Sequence, residues 1–129
     1  LKLDDAAFDA LARRMPDSFW IAEPAEVAAR NMALIRGGME DGLAIDAEYD
    51  ADRQATLVSV HAVDHPGLFF RIAGGIHLAG GNIIDARIHT TRDGLAIDNF
   101  LVQDPLGRPF AEAAQLARLR QAIADALAN

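Results

Sequence analysis

The sequence contains no cysteine. Disulfides, thiolate nucleophiles and cysteine-based zinc sites are therefore excluded, and the composition fits a reducing cytosol, so a cytoplasmic setting is expected. Lysine occurs once, at Lys2, and the formal net charge is −7. A nucleic-acid surface needs clustered Lys and Arg, so no nucleic-acid partner is expected. No apolar run approaches the roughly 20 residues needed to span a bilayer, and no signal-peptide-like apolar segment is present, so no membrane association is expected. The signatures of catalysis are missing as well. There is no phosphate-binding P-loop and no Ser-His-Asp order with a nucleophile elbow. The histidines His61, His65, His77 and His89 show no helical i, i+4 or other short ligand spacing, so no metal site is expected.

At 129 residues, half of them apolar and a quarter charged, the chain has the size of one domain or of one domain with an appendage. It does not begin with Met, and Ala126-Leu127-Ala128-Asn129 continues a helical pattern, so it reads as a piece of something longer. Residues 1–41 read as a helical connector. A first helix over 3–15, capped by Asp4 or Asp5, places Phe8, Leu11, Ala12 and Met15 on one stripe before Pro16 stops it. Residues 17–21 read as a link whose Phe19, Trp20 and Ile21 pack against the flanking helices. A second helix after Pro24 carries Ala25, Ala28, Ala29, Met32 and Ile35 inward, with Glu23 and Glu26 as partners of its dipole.

From Gly42 the period changes to two, and residues 42–129 read as the domain proper. Residues 43–49 and 56–63 alternate as two strands of an antiparallel hairpin, with Val58, Val60 and Ala62 on one face and Ser59 and His61 on the other. A helix over 68–79 follows, ended by Gly80-Gly81. Next come a strand over 82–89 with Ile84, Ala86 and Ile88 inward, an Asp93-Gly94 turn, a returning strand over 95–103, and a final helix over about 111–127. The order β, β, α, β, β, α with a right-handed crossover makes the 56–63 and 82–89 strands parallel, with the 95–103 strand between them. The expected fold is an α+β ferredoxin-like sandwich, an antiparallel sheet with two helices on one face. The usual fourth strand, which would follow the last helix, is absent, and the 43–49 strand takes its place. The other face of the sheet carries Leu57, Val63, Ile83, Ile97 and Leu101, which is too apolar to stay wet, so the connector helices or a second copy should cover it.

The candidate site is the turn Asp64-His65-Pro66-Gly67-Leu68. Asp64 can cap the helix, Pro66 suits its first turn, and Gly67 leaves the backbone open to a close-approaching group. The N–H groups of Gly67 and Leu68 at the positive helix end suit a small carboxylate, and His65 or Asp64 can meet an ammonium or amide.

The run Asp64-His65-Pro66-Gly67-Leu68-Phe69, then Gly81-Asn82-Ile83-Ile84, resembles an ACT domain. The longer string from Asp85-Ala86-Arg87-Ile88 through Thr90-Thr91-Arg92-Asp93-Gly94 to Phe100-Leu101-Val102-Gln103-Asp104 resembles more narrowly the first C-terminal ACT domain of the bifunctional [protein-PII] uridylyltransferase/uridylyl-removing enzyme family. The connector segment Met15-Pro16-Asp17-Ser18-Phe19-Trp20 resembles the stretch ahead of that domain. The resemblance implies a regulatory role, with L-glutamine as effector and the PII protein as the target of the parent enzyme. It implies no catalytic residue and no cofactor in this chain, while the parent is expected to use Mg2+. It also implies that Asn82, Ile83 and Ile84 of a partner ACT domain, from a second copy or a second domain, form the other wall of the ligand pocket. The alternative is an ACT-type dimerisation or assembly module without a ligand of its own.

Overall fold

The computed structural model describes residues 2–128. Three helices open the chain: α1 (Asp5–Arg13), α2 (Asp17–Ala22) and α3 (Ala25–Arg36). They are followed by strands β1 (Leu43–Asp50) and β2 (Ala55–Val63), helix α4 (Leu68–Leu78), strands β3 (Asn82–Thr90) and β4 (Leu95–Gln103), and helix α5 (Ala113–Leu127). The sheet order is β1-β2-β4-β3, and every neighbouring pair is antiparallel. β2 and β3 are thus parallel and flank β4, as a right-handed β-α-β crossover requires. β1 pairs with the outer edge of β2 from Leu43↔Ala62 to Asp50↔Ala55 and occupies the fourth position. The ferredoxin-like α+β sandwich is therefore complete among four strands, one of which comes from ahead of the β-α-β unit.

Alternation along β2 and β4 builds the core. Val58, Val60 and Ala62 of β2 and Ala96, Phe100 and Val102 of β4 face Leu68, Ile72 and Ile76 of α4 and Leu119 and Ile123 of α5, all buried. α4 and α5 cross closely because Gly75 has no side chain: a Cβ there would stand 2.9 Å from the Ala122 carbonyl oxygen and the Ile123 Cα. The opposite face of the sheet is covered by the connector helices. Met15 and Phe19 pack on Ile97, with Ala28, Met32 and Leu34 around them.

A polar cluster sits inside this second interface. Asn31 is fully buried and donates to Ser59 Oγ at 3.1 Å and to Asn99 Oδ1 at 2.9 Å. Asn99 Nδ2 returns a bond to Asn31 Oδ1 at 2.7 Å, and Ser59 donates to Asn99 Oδ1 at 2.7 Å. Each polar group finds a partner, so the cluster fixes α3 on the sheet rather than weakening the contact. Arg30 adds ion pairs from α3 to Asp46 at 2.6 Å and Glu48 at 2.5 Å on β1.

Within its elements the structure departs from the sequence reading in α2, α3 and β3. Residues 17–22 form the short helix α2 instead of an irregular link, and only Phe19 of its large apolar trio is buried; Trp20 and Ile21 are exposed. On α3 the fully buried residues are Val27, Asn31 and Ile35; of the expected stripe Ile35 is among them and Ala28 and Met32 are partly buried, whereas Val27 and Asn31 lie outside that stripe. On β3 a bulge between Ile83 and Asp85 turns Ile83, expected on the other face, toward the α4–α5 core, and Ile84 and Ile88, both expected inward, are about half exposed. One inserted residue exchanges the faces of everything before it, because the side-chain period of a strand is two.

Candidate functional site

The turn between β2 and α4 is held from both sides. Asp64 N–H donates to the Gly94 carbonyl at 2.8 Å, which ties the turn to the β3–β4 hairpin, and Leu68 N–H, expected to meet a ligand carboxylate, instead donates to the His65 carbonyl at 3.1 Å and is used up within the turn. Gly67 is the N-cap of α4 and has φ +87°, with no atom within 4 Å of the place a Cβ would take. The backbone angle therefore demands glycine while the space beside it stays open. No side chain caps α4. Asp64, expected as the cap, lies three residues too early because the turn runs on to Gly67, and Pro66 precedes the cap instead of entering the first turn. His65 is exposed, with Nδ1 donating to the Pro66 carbonyl at 3.0 Å, and Leu68 anchors the turn with a buried side chain. The result is an uncapped, electropositive helix end beside open space.

Asn82, Ile83 and Ile84 start β3 at the other end of the sheet. Asn82 pairs with Gln103, whereas the turn adjoins the Leu95 end of β4. Within one chain the two halves of the expected pocket do not meet. Asn82 and Ile84 are exposed on the edge strand, where a second ACT domain can reach them.

Asp98 lies on the helix-facing side of β4, between Val60 and Ile88. It is 1% exposed, and its Oδ1 has no hydrogen-bond partner. Burial pushes its carboxyl up to about 7, with the Asp64 charge acting in the same direction and the His89 backbone N–H acting against it. Asp85 is on the opposite face, paired with Arg87.

Sequence reasoning missed Glu23. It is not a helix-dipole partner: its side chain is fully buried between α2 and β3. His89 Nε2 donates to Oε2 at 2.6 Å and Arg87 Nε donates to Oε1 at 2.9 Å. Burial alone would raise the Glu23 carboxyl, but the bonds from His89 and Asn99 and the Arg87 charge hold it below its ordinary value. The Phe19 ring stands edge-on to His89 at 5.0 Å. A Glu two residues before a helix, with an Arg-x-His pair on a distant strand, carries no local pattern that would reveal this contact. His61, on the same face, is buried and donates Nδ1 to the Ala96 carbonyl at 2.9 Å; burial lowers its pKa. Among the described residues no three His, Cys, Asp or Glu side chains gather as a metal site. No helix among them is long and apolar enough to cross a membrane.

The ACT domain profile matches residues 56–123. The bifunctional uridylyltransferase/uridylyl-removing enzyme of Erythrobacter litoralis is 66% identical over 119 residues, which is 91% of this chain and 13% of that enzyme. The enzyme of the same description from Novosphingobium aromaticivorans is 58% identical over 129 residues, 100% of this chain and 14% of that enzyme. The one from Zymomonas mobilis is 46% identical over 132 residues, 98% of this chain and 14% of that enzyme. The chain spans about a seventh of the length of these curated relatives.

Proposed function

The chain belongs to the ACT-domain family, and from that membership we propose that it is a glutamine-sensing regulatory domain of a [protein-PII] uridylyltransferase/uridylyl-removing enzyme. The similarity to enzymes of that description over 91–100% of the chain supports the assignment to the parent. The observation that carries the sensing role is the α4 N-terminus at Gly67, where a left-handed glycine leaves open space and no side chain caps the helix. A ligand carboxylate docks there, His65 or Asp64 receives its ammonium or amide, and Asn82, Ile83 and Ile84 of a paired ACT domain close the other wall. Differential binding to two arrangements of the ACT pair then shifts the parent between uridylylating and de-uridylylating PII in the cytoplasm. The transfer and removal chemistry belongs to other parts of the parent.

The reading is tested by calorimetric titration of the complete ACT pair with L-glutamine, alongside the glutamine dependence of PII modification by the full enzyme. Saturable heat is expected. An enzyme that responds to glutamine while its ACT pair gives no heat would remove the sensing role.

One observation favours the second reading, an assembly module without a ligand. The edge strand β3 exposes Ile84 and Ile88, and α4 exposes Phe70. The same titration separates the two.

A further inference from the structure

The β3–β4 hairpin meets the joint between α1 and α2, and a cleft of about 430 Å³ opens where they meet. That volume lies within the range of small-molecule sites, about 300–1,000 Å³. The hairpin supplies Thr90 and Arg92, and the end of α1 supplies Arg13 and Arg14, with Pro16 and Asp17 following. The backbone on both sides is fixed. Gly94 N–H donates to the Thr91 carbonyl at 3.1 Å and Leu95 N–H to Thr91 Oγ1 at 3.0 Å. Met15, between Arg14 and Pro16, is buried against the sheet beside Ile97.

The charge of this cleft runs against that of the chain. The net charge is −7, yet three arginines line the cleft against one carboxylate, Asp17. Arg14 Nε is held by Asp93 at 3.0 Å, and Asp93 accepts from Thr91 Oγ1 at 2.5 Å, so this guanidinium is set in place from behind. The side chains of Arg13 and Arg92 have no ion pair or hydrogen bond among the described residues, although Asp17 shares the lining with them. The dipole of α1 accounts for cations at its carboxyl end, Arg13 and Arg14. It does not account for Arg92, which arrives from a turn distant in sequence. Like charges gathered from two elements repel unless an anion lies between them.

We propose that this cleft binds a small phosphorylated anion, with pyrophosphate as the minimal ligand. Arg13 and Arg92 take phosphoryl oxygens in their planar forks from two sides, and Arg14 adds a third positive charge. A single carboxylate needs only one such fork, so three arginines select a multiply charged group. Asp17 opposes the anion and keeps its affinity moderate. A nucleoside diphosphate carries the same phosphoryl pair as free pyrophosphate, and the two sources are separated below. The cleft shares no residue with the Gly67 turn or with Asn82, Ile83 and Ile84, and it rests on neither reading of the ACT pair.

The test is calorimetric titration of the 129-residue chain at low ionic strength with pyrophosphate, uridine 5′-diphosphate and succinate. Pyrophosphate is expected to give saturable heat that weakens with added chloride, and succinate to bind about tenfold more weakly. Arg13→Gln and Arg92→Gln, both on exposed side chains, should each weaken pyrophosphate about tenfold. Asp17→Asn should tighten it, an effect of opposite sign that a loss of folding does not produce. Arg118→Gln, at an exposed arginine of α5 outside the cleft that also has no ion pair among the described residues, should leave binding unchanged. Circular dichroism of each variant confirms folding. Tighter binding of uridine 5′-diphosphate than of pyrophosphate assigns the site to a nucleotide, and equal or weaker binding assigns it to the free anion. Absence of heat with both phosphorylated probes overturns the proposal, as does binding unchanged in Arg13→Gln and Arg92→Gln. Equal losses in Arg118→Gln and Arg92→Gln reduce the effect to diffuse surface charge and overturn it too, and succinate bound as tightly as pyrophosphate removes the phosphoryl assignment.

Discussion

At Gly67 a backbone angle excludes other residues although nothing crowds the site. Gly67→Ala is expected to cost about 1 kcal/mol in urea unfolding, because an L side chain at φ +87° is strained. Asp98 makes a sharper case. Its folded carboxyl titrates near 7 against an ordinary 3.8, so the folded state holds a proton that the unfolded chain has released. The stability of this group is therefore full below about pH 4, declines as pH rises through the window up to about 7, and stays lost above it. Asp98→Asn should gain relative to the native chain across that window, reaching on the order of 4 kcal/mol above about pH 7. Thermal melts of both proteins from pH 4 to 8 check this; parallel curves would contradict it. Neither effect needs a ligand. Both residues were visible as letters: Gly67 could be read from the turn, whereas the isolation of Asp98 depends on neighbours from β2 and β3 that no local window contains.

Between elements, the joint of α2 with β3 rests on one carboxylate. Removing it in Glu23→Ala leaves the Arg87 and His89 donors facing a buried gap, and a loss of about 3 kcal/mol is expected by chemical denaturation. Because partners hold the Glu23 carboxyl below its ordinary value, its contribution is complete above about 4.5 and fades as pH falls through the lowered folded value. The native chain should thus lose more than the variant on acidification. The elements themselves were largely legible. Alternation and turn residues locate β2, β4 and the β1–β2 hairpin, because strand period and glycine turns are local signals. What stayed hidden was relational. The bulge at Ile84 changes which β3 residues face the core, α2 is too short to show a helical period, and Asn31 looks like a surface residue until Ser59 and Asn99 are brought to it. The candidate turn was found for sound reasons, but its cap was misplaced by three residues.

For the whole molecule, the sheet lies between two helical layers, α4 with α5 on one side and the connector on the other. β1 belongs to the sheet although the ACT match begins only at residue 56. Trimming the chain to residues 56–123 leaves the rest of β2, from Thr56↔Tyr49 to Ala62↔Leu43, without its β1 partners and bares the sheet's connector-covered face. Such a fragment is expected to self-associate, as an unprotected strand edge does. Light scattering of the trimmed and full chains at equal concentration checks it, and a monomeric, well-folded trimmed chain would contradict it. Anyone drawing expression boundaries or swapping this region between enzymes should therefore place the seam ahead of residue 43. The strand that completes the sheet travels with the segment upstream, and a graft that respects only the family's outline leaves it behind.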